Sequence, residues 1–262
     1  MNIIVMSLFA GVIGMGLGSA ITAIFGSRTD KMISIFLSFA GGVMVSIVLI
    51  ELIPEAVEYS NVGITAVGLA VGAAVVMLLN NVVDKISHRN TNKEKSKLHE
   101  SYTEFFHSDE MISSKKKSML RSGMIMLFAI ALHNIPEGLA MGAAGYHDAM
   151  LGLTLAIMIG LHNIPEGMAI SAPLISGGLS KFKTLVLVML TGATTVLGAV
   201  AGVLIGGISD LALALSFALA GGAMLYVVFG EILPQSIVTN KDRIPTIFAL
   251  VGIIVGLLFT QI

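Results

Sequence analysis

Apolar residues fall along this chain in eight blocks, approximately Asn2 to Phe25, Met32 to Ile53, Val62 to Val83, Ser122 to Ala144, Met150 to Ala172, Thr184 to Ile208, Leu211 to Pro234 and Ile244 to Ile262. Blocks of about 20 apolar residues are what an α-helix needs to cross a hydrocarbon core of roughly 30 Å. Backbone exposed to lipid must satisfy its own hydrogen bonds, so each block is predicted to be a transmembrane helix. All the connections are short except Asp84 to Arg121, which holds Lys85, Arg89, Lys93, Lys95, Lys97 and the run Lys115 to Lys117. It reads as a polar, basic loop between the third and fourth helices. The pattern therefore predicts an all-α, polytopic membrane protein with one transmembrane domain over residues 1–262 and a loop at 84–121.

Composition agrees with a chain built for lipid. Hydrophobic residues make up 55% and charged residues 12%, with mean hydropathy +0.93, against about 25% charged in a soluble domain. Met1 to Ala10 carries no basic residue, so the first block reads as a retained span and not as a signal peptide. Cysteine is absent, which excludes disulfides, iron-sulfur clusters and thiolate metal sites. With the long loop on the cytoplasmic side, eight alternating spans put all 15 Lys and Arg on that side, as the positive-inside rule requires. Both termini then lie outside, and the outer face carries Glu55, Glu58, Asp148 and Asp210, with Glu51 just beneath. Such a face would concentrate arriving cations, or is simply polar loop.

Two internal repeats change the picture. Ala40-Gly41-Gly42-Val43-Met44, followed by Glu51-Leu52-Ile53-Pro54, returns 180 residues later as Ala220-Gly221-Gly222-Ala223-Met224 with Glu231-Ile232-Leu233-Pro234. Leu132-His133-Asn134-Ile135-Pro136-Glu137-Gly138 returns 29 residues on as Leu161-His162-Asn163-Ile164-Pro165-Glu166-Gly167. In each pair the spans run antiparallel, which predicts an inverted repeat of three helices, a central pair and three helices, with a substrate site near mid-membrane. Glu51 then lies near the outer end of its span and Glu231 near the inner end of its own. They are candidate pathway mouths; the alternative is a pair of helix-end carboxylates, each followed by a helix-breaking proline.

The tighter repeat carries the candidate chemistry. His133 and His162 fall about halfway along their spans, where ionisable groups are costly. In each motif His and Glu are four residues apart and share a helix face, with Asn about 100° round from His. Pro136 and Pro165 lack an N–H, which frees the carbonyls of Leu132 and Leu161. His133, Asn134, Glu137, His162, Asn163 and Glu166 together offer two imidazoles, two carboxylates and two amides, enough for one metal ion or a bridged pair. Nitrogen and oxygen donors suit zinc, and also iron(II), cobalt, manganese and cadmium. Two ionised glutamates would nearly neutralise one divalent ion.

The expected partners are therefore divalent metal ions, as transported species and not as a resident cofactor, and the lipid bilayer. Nucleic acid is not expected, and homodimerisation is left open. His88, His99 and His107 in the loop could sense metal or be plain solvated residues. The methionines read as flexible core filler, and glycines such as Gly11, Gly14, Gly16 and Gly18 as sites of close helix approach. A membrane-embedded metalloenzyme is an alternative class, but the His-Glu-x-x-His signature and any Ser or Cys nucleophile constellation are absent. A metal sensor working through the loop is another, and it would not explain the repeats.

At the paired His-Asn-x-Pro-Glu-Gly motifs the chain resembles the ZIP family of zinc and iron transporters, and the resemblance covers all eight spans, the long loop before the fourth and the outside termini. It implies metal uptake toward the cytoplasm with broad divalent selectivity, no enzymatic activity, and a transport site lined by His133, Asn134, Glu137, His162, Asn163 and Glu166. It also implies that the two glutamates can bridge a binuclear centre. Some members have Gln-Asp where this chain has His162-Asn163. Bacterial members often place a glutamate in the sixth span where this chain has Thr195, within Thr191-Gly192-Ala193-Thr194-Thr195-Val196-Leu197-Gly198, which implies a weaker second metal position. A prokaryotic cytoplasmic membrane is the expected location.

Overall fold

The computed structural model describes residues 2–26, 29–95, 107–147, 149–205 and 209–259. Among them there is no strand. The chain forms α1 (Ile3–Phe25), α2 (Asp30–Glu58), α3 (Val62–Lys95), α4 (His107–His147), α5 (Ala149–Ser176), α6 (Lys181–Ile205), α7 (Asp210–Thr239) and α8 (Ile244–Phe259). By length and composition, 6 of these segments are fit to cross a membrane, and Val62–Leu78 and Ile244–Leu258 are shorter apolar stretches within α3 and α8.

The helices overrun several of the boundaries read from hydropathy. Between Asp84 and Lys95, and from His107 to Arg121, there is neither proline nor glycine. Nothing breaks the backbone where the apolar pattern stops, so α3 and α4 carry helical backbone into the stretch 84–121. His88 and His107 thus fall on helical backbone, and His99 lies outside the described residues. The alternative reading of Pro54 and Pro234 as helix breakers does not hold: α2 runs on to Glu58 and α7 to Thr239. Each proline stands in the first turn of an α-helical stretch that follows a single π-helical turn, Val48–Leu52 or Val228–Ile232. At the start of a fresh α-turn the missing N–H costs little. Glu51 and Glu231 each sit inside the π turn, and single π turns are frequent at functional sites.

The helix starts repeat as well. Thr29 accepts a hydrogen bond from the Met32 N–H at 3.2 Å with Asp30 in the first turn, and Ser209 accepts one from the Ala212 N–H at 3.3 Å with Asp210 in the first turn. A hydroxyl at the N-cap satisfies one orphan donor, and the aspartate complements the positive end of the helix dipole. Thr29 and Ser209 are separated by the same 180 residues as Glu51 and Glu231, so the likeness of α2 and α7 extends from cap to proline.

In lipid the helices gain nothing by hiding apolar surface from water, so their association depends on close backbone approach and van der Waals packing. Glycines supply the approach. A Cβ on Gly138 would run into the Thr195 carbonyl oxygen, and one on Gly198 into that of Ile135, which locks α4 to α6. Gly167 meets the Met15 carbonyl and Gly18 that of Ile164, which locks α5 to α1 in the same way. Leu37, Met44, Ile47, Ile130, Ile170 and Met224 fill the centre, each no more than 2% exposed. Gly138→Ala should therefore lower the thermal midpoint in detergent, at a cost on the order of 2 kcal/mol. Gly160→Ala puts its new Cβ 3.4 Å from the Ala10 Cα, an ordinary contact, and should change stability by less than about 0.5 kcal/mol. Equal midpoints for both variants would rule out a tight α4–α6 seam.

Candidate metal centre

The two motifs lie on α4 and α5, and their prolines, Pro136 and Pro165, stay inside continuous helix. His133, Asn134, Glu137, His162, Asn163 and Glu166 are all at most 3% exposed. All six face the bundle interior.

Three of them converge: one ligand atom each from His133, Glu137 and Glu166 lies within 4.8 Å of the others. The His133 Nε2 is 2.9 Å from Glu137 Oε1 and 3.4 Å from Glu166 Oε1, and the His162 Nε2 is 2.9 Å from the same Glu137 oxygen. Ligand atoms on a tetrahedron with zinc bonds near 2.1 Å are about 3.4 Å apart. The two distances from the His133 Nε2 are thus at, or slightly inside, the spacing of a zinc coordination shell, and all three ligand atoms stay within 4.8 Å of one another. Glu137 is the hub of the cluster, since it touches both imidazoles.

Hydrogen bonding leaves the donors and acceptors of this cluster in deficit. The His133 Nε2 stands beside Glu137 without the angle of a hydrogen bond, and its Nδ1 has no partner. Glu137 Oε2 and both Glu166 oxygens are also without hydrogen-bond partners. A buried carboxylate in that condition costs several kcal/mol, about 1–3 or more for each unmet group, unless a cation meets it. The asparagines point the same way. Asn134 donates its Nδ2 to the Thr191 carbonyl at 3.3 Å, and Asn163 donates its own to the Ala10 carbonyl at 3.0 Å. In both, the amide nitrogen is tied to a neighbouring helix and the buried Oδ1 is left without a donor. Amide oxygens so fixed can serve a metal as ligands.

Thr191 and Ala10 were not singled out by the sequence, yet each precedes a glycine, Gly192 and Gly11, at which α6 and α1 meet backbone to backbone. Thr195 packs against Gly11, is fully buried and has an unpartnered Oγ1. Thr194 donates to the Ala131 carbonyl at 2.8 Å, which ties α6 to α4 one turn before Pro136.

The two candidate mouths are unequal. Glu51 is half-buried, and its charge is within reach of His162 and Glu137. Glu231 is 6% exposed and stands apart with a different set: Asn80 donates to Oε1 at 2.8 Å, Ser122 to Oε2 at 3.0 Å, and Arg121 Nη1 is 3.9 Å from Oε1. The apolar-block reading missed Asn80, Arg121 and Ser122; the only sequence signal was polar side chains at the rims of two apolar blocks. At the opposite end, Tyr59 stacks on Phe217 with ring centroids 6.4 Å apart. Burial, and then the negative field of Glu55, Glu58 and Asp210, raise its phenol above the ordinary 10.0. Three of the four acids expected on the outer face thus act on one spot, and Asp148 lies outside the described residues.

Comparison with known proteins gives a family to this geometry. Residues 1–262 match the family described as ZIP Zinc transporter. The chain is 31% identical to the zinc transporter ZupT of Chlorobium chlorochromatii over 98% of its own length and 94% of the relative's. It is 33% identical to ZupT of Akkermansia muciniphila over 100% and 97%. To the zinc transporter GufA of Myxococcus xanthus it is 39% identical over 52% and 54%.

With Glu137 as hub, Glu137→Gln should weaken equilibrium zinc binding to the purified protein by about 100-fold, and Glu166→Gln by about tenfold or more. Ser171→Ala, on the same helix as Glu166 and with its buried hydroxyl likewise unpartnered, serves as the control and should leave affinity unchanged. Calorimetric affinities alike in all three variants would exclude this cluster as the binding site.

Proposed function

The chain belongs to the ZIP family of zinc transporters, and on that premise we propose that it carries zinc into the cytoplasm through the cluster between α4 and α5. The observation that carries the reading is the convergence of His133, Glu137 and Glu166 in a buried space where acceptor atoms lack donors. His162 adds an imidazole through Glu137, and Asn134 and Asn163 add amide oxygens. Iron(II), manganese, cobalt and cadmium accept the same donor set and would compete.

The route runs from the acidic end past Glu51, through the cluster, and out past Glu231. Alternating access by an inverted repeat, in eight spans with both termini outside and the 84–121 segment in the cytoplasm, accounts for this order. Supporting it, contacts come in matched pairs: Asn134 binds α6 as Asn163 binds α1, and α4 seats against α6 on glycine as α5 does against α1. The π turns and capped starts of α2 and α7 match likewise. Thr195 offers a neutral hydroxyl and not a carboxylate, so a second ion beside Asn134 and Asn163 would be held more weakly than the first. The protein resides in a bacterial cytoplasmic membrane, and whether two copies associate does not alter this site, which one chain completes.

Zinc influx into proteoliposomes tests the proposal. Saturable influx is expected from the native chain, with competition by iron(II), manganese and cadmium, and none from the His133→Ala, Glu137→Ala double variant. Stoichiometric zinc binding with no influx would refute a carrier and leave a sensor or a membrane metalloenzyme.

A further inference from the structure

Glu51 and Glu231 hold equivalent places in the 180-residue repeat and equivalent π turns, yet their surroundings differ in kind. The charge of Glu51 reaches into the His162–Glu137 cluster. That of Glu231 is bound at the other end of the bundle, the end where α3 and α4 run into the 84–121 segment. Asn80 of α3 is the link: its Nδ2 donates to Glu231, and its Oδ1 accepts from Arg121 Nη2 at 3.0 Å. Ser122 of α4 holds the second carboxylate oxygen and also reaches Gln235 Oε1 at 3.3 Å. Three helices, α3, α4 and α7, are thus joined through one buried carboxylate.

Between this network and His133, α4 is apolar at every position from Gly123 to Leu132. Ser122 is 11 residues before His133 on α4, about 16 Å along the axis. The interval is filled by Met126 and Ile130 of α4 and by Met224, Val227 and Val228 of α7, each no more than 2% exposed. Beside His133 the three helices leave a partly open cavity of about 170 Å³, lined inside by Gly72, Val76, Pro136, Ala220 and Ala223 and on its outer side by the exposed Val75 and Leu132. An apolar constriction excludes a hydrated ion by keeping water out, and it opens only if its walls separate. Whatever joins α3, α4 and α7 below the plug resists that separation.

We propose that Arg121, acting with Asn80 and Ser122 on Glu231, is the latch of the gate on the side of the 84–121 segment, and that release of Glu231 from this network is the step that opens the apolar plug. The proposal rests on the carrier reading for its meaning, and the π turn under Glu231 gives the carboxylate a backbone able to change register. A divalent cation arriving at Glu231 competes with the single charge of Arg121, so passage of the metal itself loosens the latch. The guanidinium keeps the gate shut when no metal is leaving.

The native chain has no cysteine, so single cysteines report the gate cleanly. Val76→Cys places a thiol in the cavity wall, and Val188→Cys, fully buried on α6, reports general loosening. Both are exposed to a membrane-impermeant maleimide in vesicles whose exposed 84–121 segment is verified by proteolysis. Arg121→Gln and Glu231→Gln should speed labelling at residue 76 by about tenfold with residue 188 unchanged, while Arg121→Lys stays near the native rate. Native labelling rates in both glutamine variants, or equal acceleration at 76 and 188, would overturn the latch. Labelling does not depend on flux, so faster labelling at 76 alone in a protein that moves no zinc would uphold the latch and remove only the carrier.

Discussion

Two carboxylates and two imidazoles buried at the centre of an apolar bundle are the constraint on which the rest of the structure depends. Taking such groups out of water costs several kcal/mol each, and only good geometry or a counter-ion returns it. Here the imidazoles partly compensate, with both His133 and His162 on one oxygen of Glu137, but Glu166 is left without a hydrogen-bond partner. On the proposed reading, the incomplete pairing suits the place to a metal: a divalent cation would supply the missing positive charge and meet the free oxygens and amides at once. A site fully satisfied within the protein would be stable and useless as a carrier.

That arrangement needs α4 and α5 held at a separation fixed to a fraction of an ångström, with no hydrophobic effect to press them together. Glycine performs this. The last residue of each motif, Gly138 and Gly167, lies against a carbonyl of the neighbouring helix. Each motif therefore carries both its candidate ligands and its own seat. The asparagines finish the alignment, each tying its amide nitrogen to the carbonyl just before Gly192 or Gly11. Packing and chemistry are written in the same six residues, which is a physical reason for the motif to recur as a unit.

Much of this was legible in the sequence, because the signals were local or repeated. Apolar blocks announce helices through length alone, and a His–Glu spacing of four announces a shared face. What one chain pattern does not contain is the partner across space. Nothing in the order of residues says that Glu231 meets Asn80 and Arg121 instead of the His–Glu cluster. Helix ends depart from the apolar pattern where hydropathy falls but no breaker intervenes, as beyond Asp84, and where proline follows a π turn and starts an α-turn instead of ending one, as at Pro54 and Pro234. The paired caps at Thr29 and Ser209 were readable at the same 180-residue offset as the glutamates, and escaped notice because capping residues lie outside the apolar pattern.

If the proposed function holds, one buried ion is held jointly by both motifs. Anomalous diffraction at the zinc edge, from crystals of the protein grown with zinc, tests it most directly. The strongest peak is expected within coordination distance of the His133 Nε2 and of carboxylate oxygens of both Glu137 and Glu166. A strongest peak elsewhere, or one touching residues of only α4 or only α5, would contradict it.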